Sequence, residues 1–390
     1  MKLKCGREAL NAAFQTAAGV VPQRSTIPAL QNVKLTARKS GGKGSVEIVG
    51  TDLELGIRYT ISDEPPAASS AEGDAKGARK PIPVDVAEEG TLVLSATRVA
   101  GLLRESRDEA VSLESDGNLA TLKFRDSKYK IVGVDPADFP ELPSFGTKGA
   151  ARIDTADLAA MIRRTLFATS GEITRYALTG VLFDLREHEV RLVASDGKRL
   201  AYARKKIAGP ATPVQAIVPP KAFQLLAQVL GADDDTADFL VEENQIKIQT
   251  KRAMIFSRLI EGNYPNYEDV IPKGADLKVG VPAAEFASAL RRAALMTSDR
   301  GKVVKLAFGK NRLRLETRAQ EIGESQIDVD VEYDGEEMEI VFNPDFFLDF
   351  LRVANEEKLE IRLKDRNTAA ILRAGGEDYT YLVMPLKVDF

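Results

Sequence analysis

The 390 residues are 44% hydrophobic and 29% charged, which suits two to four soluble domains at about 100–200 residues each. The formal net charge of −4 excludes a chain that is basic throughout, and the single cysteine, Cys5, excludes an intrachain disulfide and fits a reducing cytoplasm. No apolar run approaches the ~18–20 residues of a membrane span, and the first six residues lack a signal peptide's apolar core, so a cytoplasmic protein without membrane association is expected.

Residues 3–19 predict a short strand and an amphipathic helix over 7–19, with Leu10, Ala13 and Phe14 on its apolar positions. Two prolines, Pro22 and Pro28, mark the following loop. Leu30 to Ala37 and Ser45 to Ile61 alternate as strands, with a hairpin turn at Gly41-Gly42 and a break at Gly50-Thr51-Asp52. Residues 62–81 are rich in Ala, Ser, Gly, Pro and Glu without periodicity, the composition of a flexible inserted loop. A second helix is predicted over 97–107, capped by Ser95 and burying Val99, Leu102 and Leu103. The segment closes on Asp138-Phe139-Pro140-Glu141-Leu142-Pro143.

Both helices then recur. The first type returns over 157–169, with Leu158, Met161, Ile162 and Leu166 on one face and Arg163-Arg164 off it, and again over 283–297 with Phe286, Ala289, Leu290 and Arg291-Arg292. The second type returns at an even spacing of 124 residues, after Pro219-Pro220 with Phe223 and Leu226, and after Asn343-Pro344 with Phe347 and Phe350. Each is followed by strand pairs and a Pro-marked exit, Asn263-Tyr264-Pro265 and Leu382-Val383-Met384-Pro385 in the later copies. Two helix types in one phase predict three tandem repeats, 1–147 (with the insertion 62–81), 148–273 and 274–390, each an α+β unit of two helices on antiparallel sheets.

Catalytic chemistry is poorly provided for. One histidine, His188, and one cysteine exclude a zinc cluster and a Ser-His-Asp or Cys-His arrangement. Gly41-Gly42-Lys43-Gly44-Ser45 lacks a phosphate loop's spacing, and Asp233-Asp234-Asp235 reads as a solvated loop. No catalytic residue, cofactor or metal is expected. The charge distribution says more: the six predicted helices hold ten Lys/Arg against six Asp/Glu, so they carry +4 while the rest carries −8. An arginine pair at the same helical position in two copies is the pattern that phosphate contact without base reading requires.

These residues resemble the bacterial DNA polymerase III beta subunit, or sliding clamp, family. The likeness spans essentially the whole chain and rests on Gly50-Thr51-Asp52-Leu53-Glu54, Arg175-Tyr176-Ala177-Leu178-Thr179-Gly180, Ser195-Asp196-Gly197-Lys198-Arg199-Leu200, Phe342-Asn343-Pro344 and Tyr381-Leu382-Val383-Met384-Pro385-Leu386. It implies the DNA clamp fold and a head-to-tail homodimer that closes a ring on double-stranded DNA, helices lining the hole and sheets outside. A basic lumen permits sliding without sequence specificity, and the ring tethers the replicative polymerase as a processivity factor. Clamp loader and other clamp-binding-motif proteins are the further partners.

By the same resemblance, partner peptides enter a pocket at Leu178, Ser195, Gly197, Lys198, Arg199, Leu200, Pro265, Val270, Asn343, Phe346, Leu382, Val383, Met384, Pro385 and Leu386, between repeats 2 and 3. Arg199 and Asn343 are expected to fix the peptide backbone. DNA contacts carry over to Arg24, Arg175 and Tyr176, and the repeat adds Arg163, Arg164, Lys221, Arg291 and Arg292. Leu295 and Met296 match a subunit interface that faces an edge strand at Tyr129 and Ile131. The chain departs from the family at Lys198, where His is frequent, at Asp269, where a basic residue is frequent, and in the terminal Asp389-Phe390. The rival reading is a repeat-built interaction scaffold that never encircles DNA.

Overall fold

The computed structural model describes residues 1–62, 82–146, 149–231, 236–298 and 301–387, with 173–175 described by backbone alone. The expected insertion beyond Ser62, the acidic run at 233–235 and the terminal Asp389-Phe390 lie outside the described residues.

Among the described residues there are six α-helices: α1 (Arg7–Ala18), α2 (Ala96–Glu105), α3 (Thr155–Thr165), α4 (Pro220–Val229), α5 (Ala283–Ala294) and α6 (Pro344–Val353). They fall where the two repeated patterns predict them. Leu10, Ala13, Phe14 and Ala17 form the buried stripe of α1, and Phe286, Ala289, Leu290 and Ala293 that of α5. Burying one such large apolar side chain contributes about 1.5–3 kcal/mol, so the stripe, rather than helix propensity, holds each helix to its sheet.

Two expectations at helix ends need correction. The 157–169 helix stops at Thr165, whose hydroxyl donates to the Met161 carbonyl at 2.8 Å, and the chain tightens into a 3₁₀ turn over Leu166–Ala168. Ser95 occupies the cap position of α2 without a side-chain bond, whereas Asn343 caps α6 by accepting the Asp345 N–H at 2.9 Å.

The chain forms two compact units, Met1–Ala156 with Lys221–Leu259, and Asp157–Pro220 with Ile260–Phe390. In the first, an eight-stranded antiparallel sheet runs in the order Ala151–Asp154, Thr236–Val241, Gln245–Gln249, Ala253–Arg258, Leu55–Ser62, Lys43–Thr51, Asn32–Ser40, Gly90–Ser95. Its two halves come from distant stretches of sequence and join where Ile57 faces Ile255. A five-stranded sheet completes the unit and ends on a free edge, strand Lys128–Val132. Helices α1 and α2 pack on each other over this framework. Cys5 is fully buried here, and desolvation pushes its thiol up to about 12, so it stays protonated and unreactive.

The second unit repeats the plan. Its eight-stranded sheet joins strand Arg199–Lys206 to strand Tyr379–Val383, with Ala201 facing Tyr381. Its four-stranded sheet ends on a free edge, Gly323–Asp330. Helices α5 and α6 pack together through Phe286 and Phe347, edge to face at 5.7 Å.

Gly41 and Gly42 both take positive φ, +58° and +83°, as the hairpin reading requires. Leu53 takes φ +77°, a left-handed conformation that costs a non-glycine residue roughly 1–2 kcal/mol.

Candidate partner and DNA interfaces

The hairpin tip Ser195–Arg199 organises one surface of the second unit. Ser195 Oγ donates to the Arg199 carbonyl at 2.7 Å and accepts the Gly197 N–H at 3.1 Å. Asp196 Oδ1 accepts the N–H groups of Lys198 and Arg199 at 2.9 and 3.0 Å, and Gly197 supplies the left-handed φ of +84° that this turn demands.

From this tip, direct contacts reach the other expected pocket residues. The Met384 N–H donates to the Lys198 carbonyl at 2.8 Å, and the Leu386 N–H to the Val341 carbonyl at 2.8 Å. Leu200 faces Leu382 across the sheet, and both join a core cluster against which Tyr264, Tyr267 and Ile271 pack. That packing brings the neighbouring Pro265 and Val270 alongside. Tyr381 Oη donates to the Phe346 carbonyl at 3.0 Å, and Leu178 accepts the Ser170 N–H at 2.9 Å.

The fifteen residues play different parts. Met384 and Val270 are exposed apolar groups, at 44% and 53%, and Pro265, Gly197 and Lys198 are also exposed. Leu178, Phe346, Pro385 and Leu386 are half-buried. Ser195, Leu200, Leu382 and Val383 are buried.

The partners of Arg199 draw its side chain inward, whereas Asn343 commits only its amide oxygen. Arg199 donates to Asp196 Oδ2 at 3.0 Å, Asp349 Oδ2 at 2.5 Å and the Phe167 carbonyl at 2.9 Å, and its guanidinium lies 4.8 Å from the Phe346 ring centroid. Its donors are committed to holding the hairpin, the 3₁₀ turn after α3 and α6 together. Asn343 spends its carbonyl on the helix cap. Sequence reasoning missed Phe167 and Asp349, because neither carries a local signal for a partner so distant in the chain.

Behind the surface lies a charged network. Asp184, 2% exposed, accepts Tyr267 Oη at 2.8 Å, Arg186 at 3.0 Å and Gln215 at 3.1 Å. Arg191 donates to Tyr267 Oη at 2.9 Å and to Glu268 at 2.5 Å. The Arg191 guanidinium holds Glu268 below the usual carboxylate range, and burial raises the Tyr267 phenol. The network fixes the 3₁₀ turn Tyr267–Val270 that presents Val270.

The expected DNA-contacting residues divide. Arg24, Arg163, Arg291 and Arg292 are exposed, and Tyr176 is 58% exposed on a 3₁₀ turn, Ile173–Thr179. The Arg175 side chain lies outside the described residues. Lys221 sits 3.4 Å from Asp52 Oδ2 in a solvent-exposed pair. Arg163 and Arg164 do not leave the helix together: Arg164 is half-buried with its guanidinium 5.1 Å from the Tyr379 ring centroid. In the later copy, Arg292 lines a cavity of about 400 Å³ with Glu285, Asp328 and Asp330. Among the described residues of the two arginine pairs, Arg163 and Arg291 thus stand as matched cations without such company. Arg7, counted among the basic helix residues, is spent on the Asp108 and Leu103 carbonyls at 2.8 and 3.0 Å.

At the expected subunit interface, Tyr129 (39% exposed) and Ile131 (8%) share a face of the free-edge strand, and Ile131 points into the core. Val132, 78% exposed on the other face, was missed, although strand alternation predicts it. Leu295 is 78% exposed, and Met296 packs beside Gly323, where an added Cβ would lie 3.3 Å from Met296 Cε.

Antiparallel sheets completed by strands from distant parts of one chain, with helices paired over them, define a DNA clamp fold. Sequence families described as the N-terminal, central and C-terminal domains of the DNA polymerase III beta subunit match residues 1–143, 152–266 and 268–387. The chain belongs to the DNA polymerase III beta subunit family, the non-catalytic sliding clamps that serve as polymerase processivity factors. It is 29% identical over 396 residues to the beta sliding clamp of Synechococcus elongatus, covering 100% of both chains. The Bacillus subtilis sliding clamp structure superposes with a TM-score of 0.87 at 27% identity over 100% of each chain. A sliding clamp of Pseudomonas aeruginosa bound to griselimycin gives 0.88, likewise at 27% identity over 100% of each. No helix of the described residues is long and apolar enough to cross a membrane.

Proposed function

We propose that two copies of this chain close head to tail into a ring around duplex DNA, and that the ring slides while tethering its partners. One observation carries this reading. Strand Leu55–Ser62 is completed by Ala253–Arg258, and strand Arg199–Lys206 by Tyr379–Val383, while the corresponding strand Gly323–Asp330 ends its sheet unpaired. The strand corresponding to the completing partners is Lys128–Val132, also an unpaired edge. Among the described residues of one chain these two edges have no partners, and a second copy supplies both. Charge supports the match, with Lys128 and Lys130 on one edge and Glu324, Asp328 and Asp330 on the other.

The repeats are read as 1–147, 148–273 and 274–390. Arg24, Arg163, Tyr176 and Arg291 are the foremost contacts to the phosphate backbone, with Arg175, Lys221, Arg164 and Arg292 in support. Weak contacts suffice because closure retains the ring. Polymerase, clamp loader and other partners insert a linear motif against Met384, Val270, Leu178 and Pro265, over a floor of Leu200 and Leu382, with Arg199 as a positioning residue. The protein acts in the cytoplasm and catalyses no reaction.

The test is retention on DNA. Clamp loaded on nicked circular DNA should stay bound and leave when the circle is linearised; equal retention on both forms would refute encirclement.

A further inference from the structure

The hairpin tip at Thr51–Leu55 reproduces the tip at Ser195–Arg199 bond for bond. Thr51 Oγ1 donates to the Leu55 carbonyl at 2.9 Å and accepts the Leu53 N–H at 2.9 Å. Asp52 Oδ1 accepts the N–H groups of Glu54 and Leu55 at 3.0 and 2.7 Å. The Arg258 N–H donates to the Glu54 carbonyl at 2.8 Å, as Met384 does to Lys198. The first unit therefore holds the backbone framework of the partner surface with other side chains on it: Leu53 for Gly197, Leu55 for Arg199, Arg258 for Met384.

Leu53 is the telling replacement. It keeps glycine's left-handed backbone, φ +77° beside +84° at Gly197, yet its side chain remains 43% exposed. A strained residue that contributes little to the core points to a role on the surface. With Pro140, Leu142, Pro143, Phe256 and Arg258 it lines a cavity of about 480 Å³. The Phe256 ring lies against Gly56, where an added Cβ would come within 2.1 Å of it, so glycine is what admits the ring.

Pro140, Glu141 and Leu142 also wall a second cavity, of about 300 Å³, which Lys34, Arg38, Arg58 and Glu47 line. The buried Arg58 Nε has no hydrogen-bond partner, Glu47 Oε2 standing 3.4 Å away as an ion pair only. Across the two cavities four cations face Glu47 and Glu141, and Glu54, 3.6 Å from Arg258 Nε in a solvent-exposed pair, is the third carboxylate beside them.

We propose that this groove is a second peptide-docking site, which takes an extended acidic segment of a partner protein carrying one apolar anchor. The anchor sits among Leu53, Leu142 and Phe256, and carboxylates on either side meet Arg258 and the Lys34–Arg38–Arg58 cluster. The proposal rests on the reading that the equivalent surface at Met384 takes peptides.

Fluorescence anisotropy of the full-length protein with a set of labelled decapeptides, Asp/Glu-rich with Leu, Phe or Leu-Phe at the centre, tests it. At least one should bind saturably, and Leu53→Gly and Arg258→Ala should each weaken it tenfold or more. Because Leu53→Gly relieves a strained backbone, its Tm should hold or rise, which separates lost binding from lost folding. The double variant Leu178→Ala with Met384→Ala should leave this binding unchanged. Absence of saturable binding by the whole set, binding that survives Leu53→Gly, or binding lost in the double variant overturns the proposal. Failure of the Met384 reading is seen separately, as a clamp-binding-motif peptide indifferent to the double variant.

Discussion

The Met384 N–H donates to the carbonyl of Lys198 at 2.8 Å, so the segment after the last strand is pinned to the hairpin tip and the Met384 side chain is left outside. Replacing Met384 and Leu178 together by Ala removes flexible apolar surface while the pinning bond, a backbone bond, survives. Affinity for a clamp-binding-motif peptide should fall at least tenfold, about 1.4 kcal/mol, with the dimer intact by sedimentation. Unchanged affinity would place the motif elsewhere.

Arg199 should behave as a structural residue. Its side chain is 11% exposed and joins Asp196, Asp349 and Phe167. Arg199→Ala strands the Asp349 carboxylate and the Phe167 carbonyl, and should cost about 3–5 kcal/mol in denaturant unfolding. Arg199→Lys should recover little of it, since an ammonium lacks the guanidinium's fork of donors. A stability loss below about 1 kcal/mol, the range of a surface ion pair, would contradict this account.

The two arginine pairs should separate by function. Arg163→Glu with Arg291→Glu should weaken DNA binding and flatten its dependence on log salt, by about 0.9 for each phosphate no longer neutralised. Arg164→Gln should act chiefly on stability, by about 0.5–2 kcal/mol, because its guanidinium lies against Tyr379. Titration at several salt concentrations, with thermal unfolding of each variant, distinguishes the two.

Ring closure predicts a register. Ala201 faces Tyr381 and Ile57 faces Ile255 at the two junctions within the chain, and the corresponding pair between copies is Ser325 with Tyr129. Cysteines at these two positions should form an intermolecular disulfide under mild oxidation, giving covalent dimers on a non-reducing gel. Cys5, buried and protonated, should not interfere. Monomers alone would rule out this pairing.

Glu268 offers a test by pH. Arg191 depresses its folded-state pKa, so its stabilisation is complete above the unfolded value of about 4.3 and fades as pH falls through the lower folded value. Glu268→Gln should therefore lower stability at neutral pH, by less than about 1 kcal/mol for a half-exposed group, and match the parent in strong acid. A difference that persists undiminished in acid would rule out the charge interaction as its source.

The helices and strands were legible because their apolar positions recur in phase. What Leu158 and Phe286 bury follows from period alone. Side-chain alliances across long stretches of chain were not legible. Nothing in the spacing of Arg163 and Arg164 announces Tyr379, and nothing near Arg199 announces Asp349 or the Phe167 carbonyl. The family likeness named the candidate pocket residues, yet it did not separate those that meet solvent, such as Met384, from those that are buried, such as Leu382. That division depends on which face of a shared sheet each residue takes, which is fixed by strands joined from distant positions.

Those joined sheets also set a schedule. Strand Leu55–Ser62 finds its neighbour only when Ala253–Arg258 has left the ribosome, about 10–40 s later at roughly 5–20 residues per second. Until then its outer edge is an open template in a crowded cell. The nascent chain should therefore depend on holdase protection during that interval more than its finished stability suggests, and a pause in translation before Ala253 should raise aggregation without altering the mature protein.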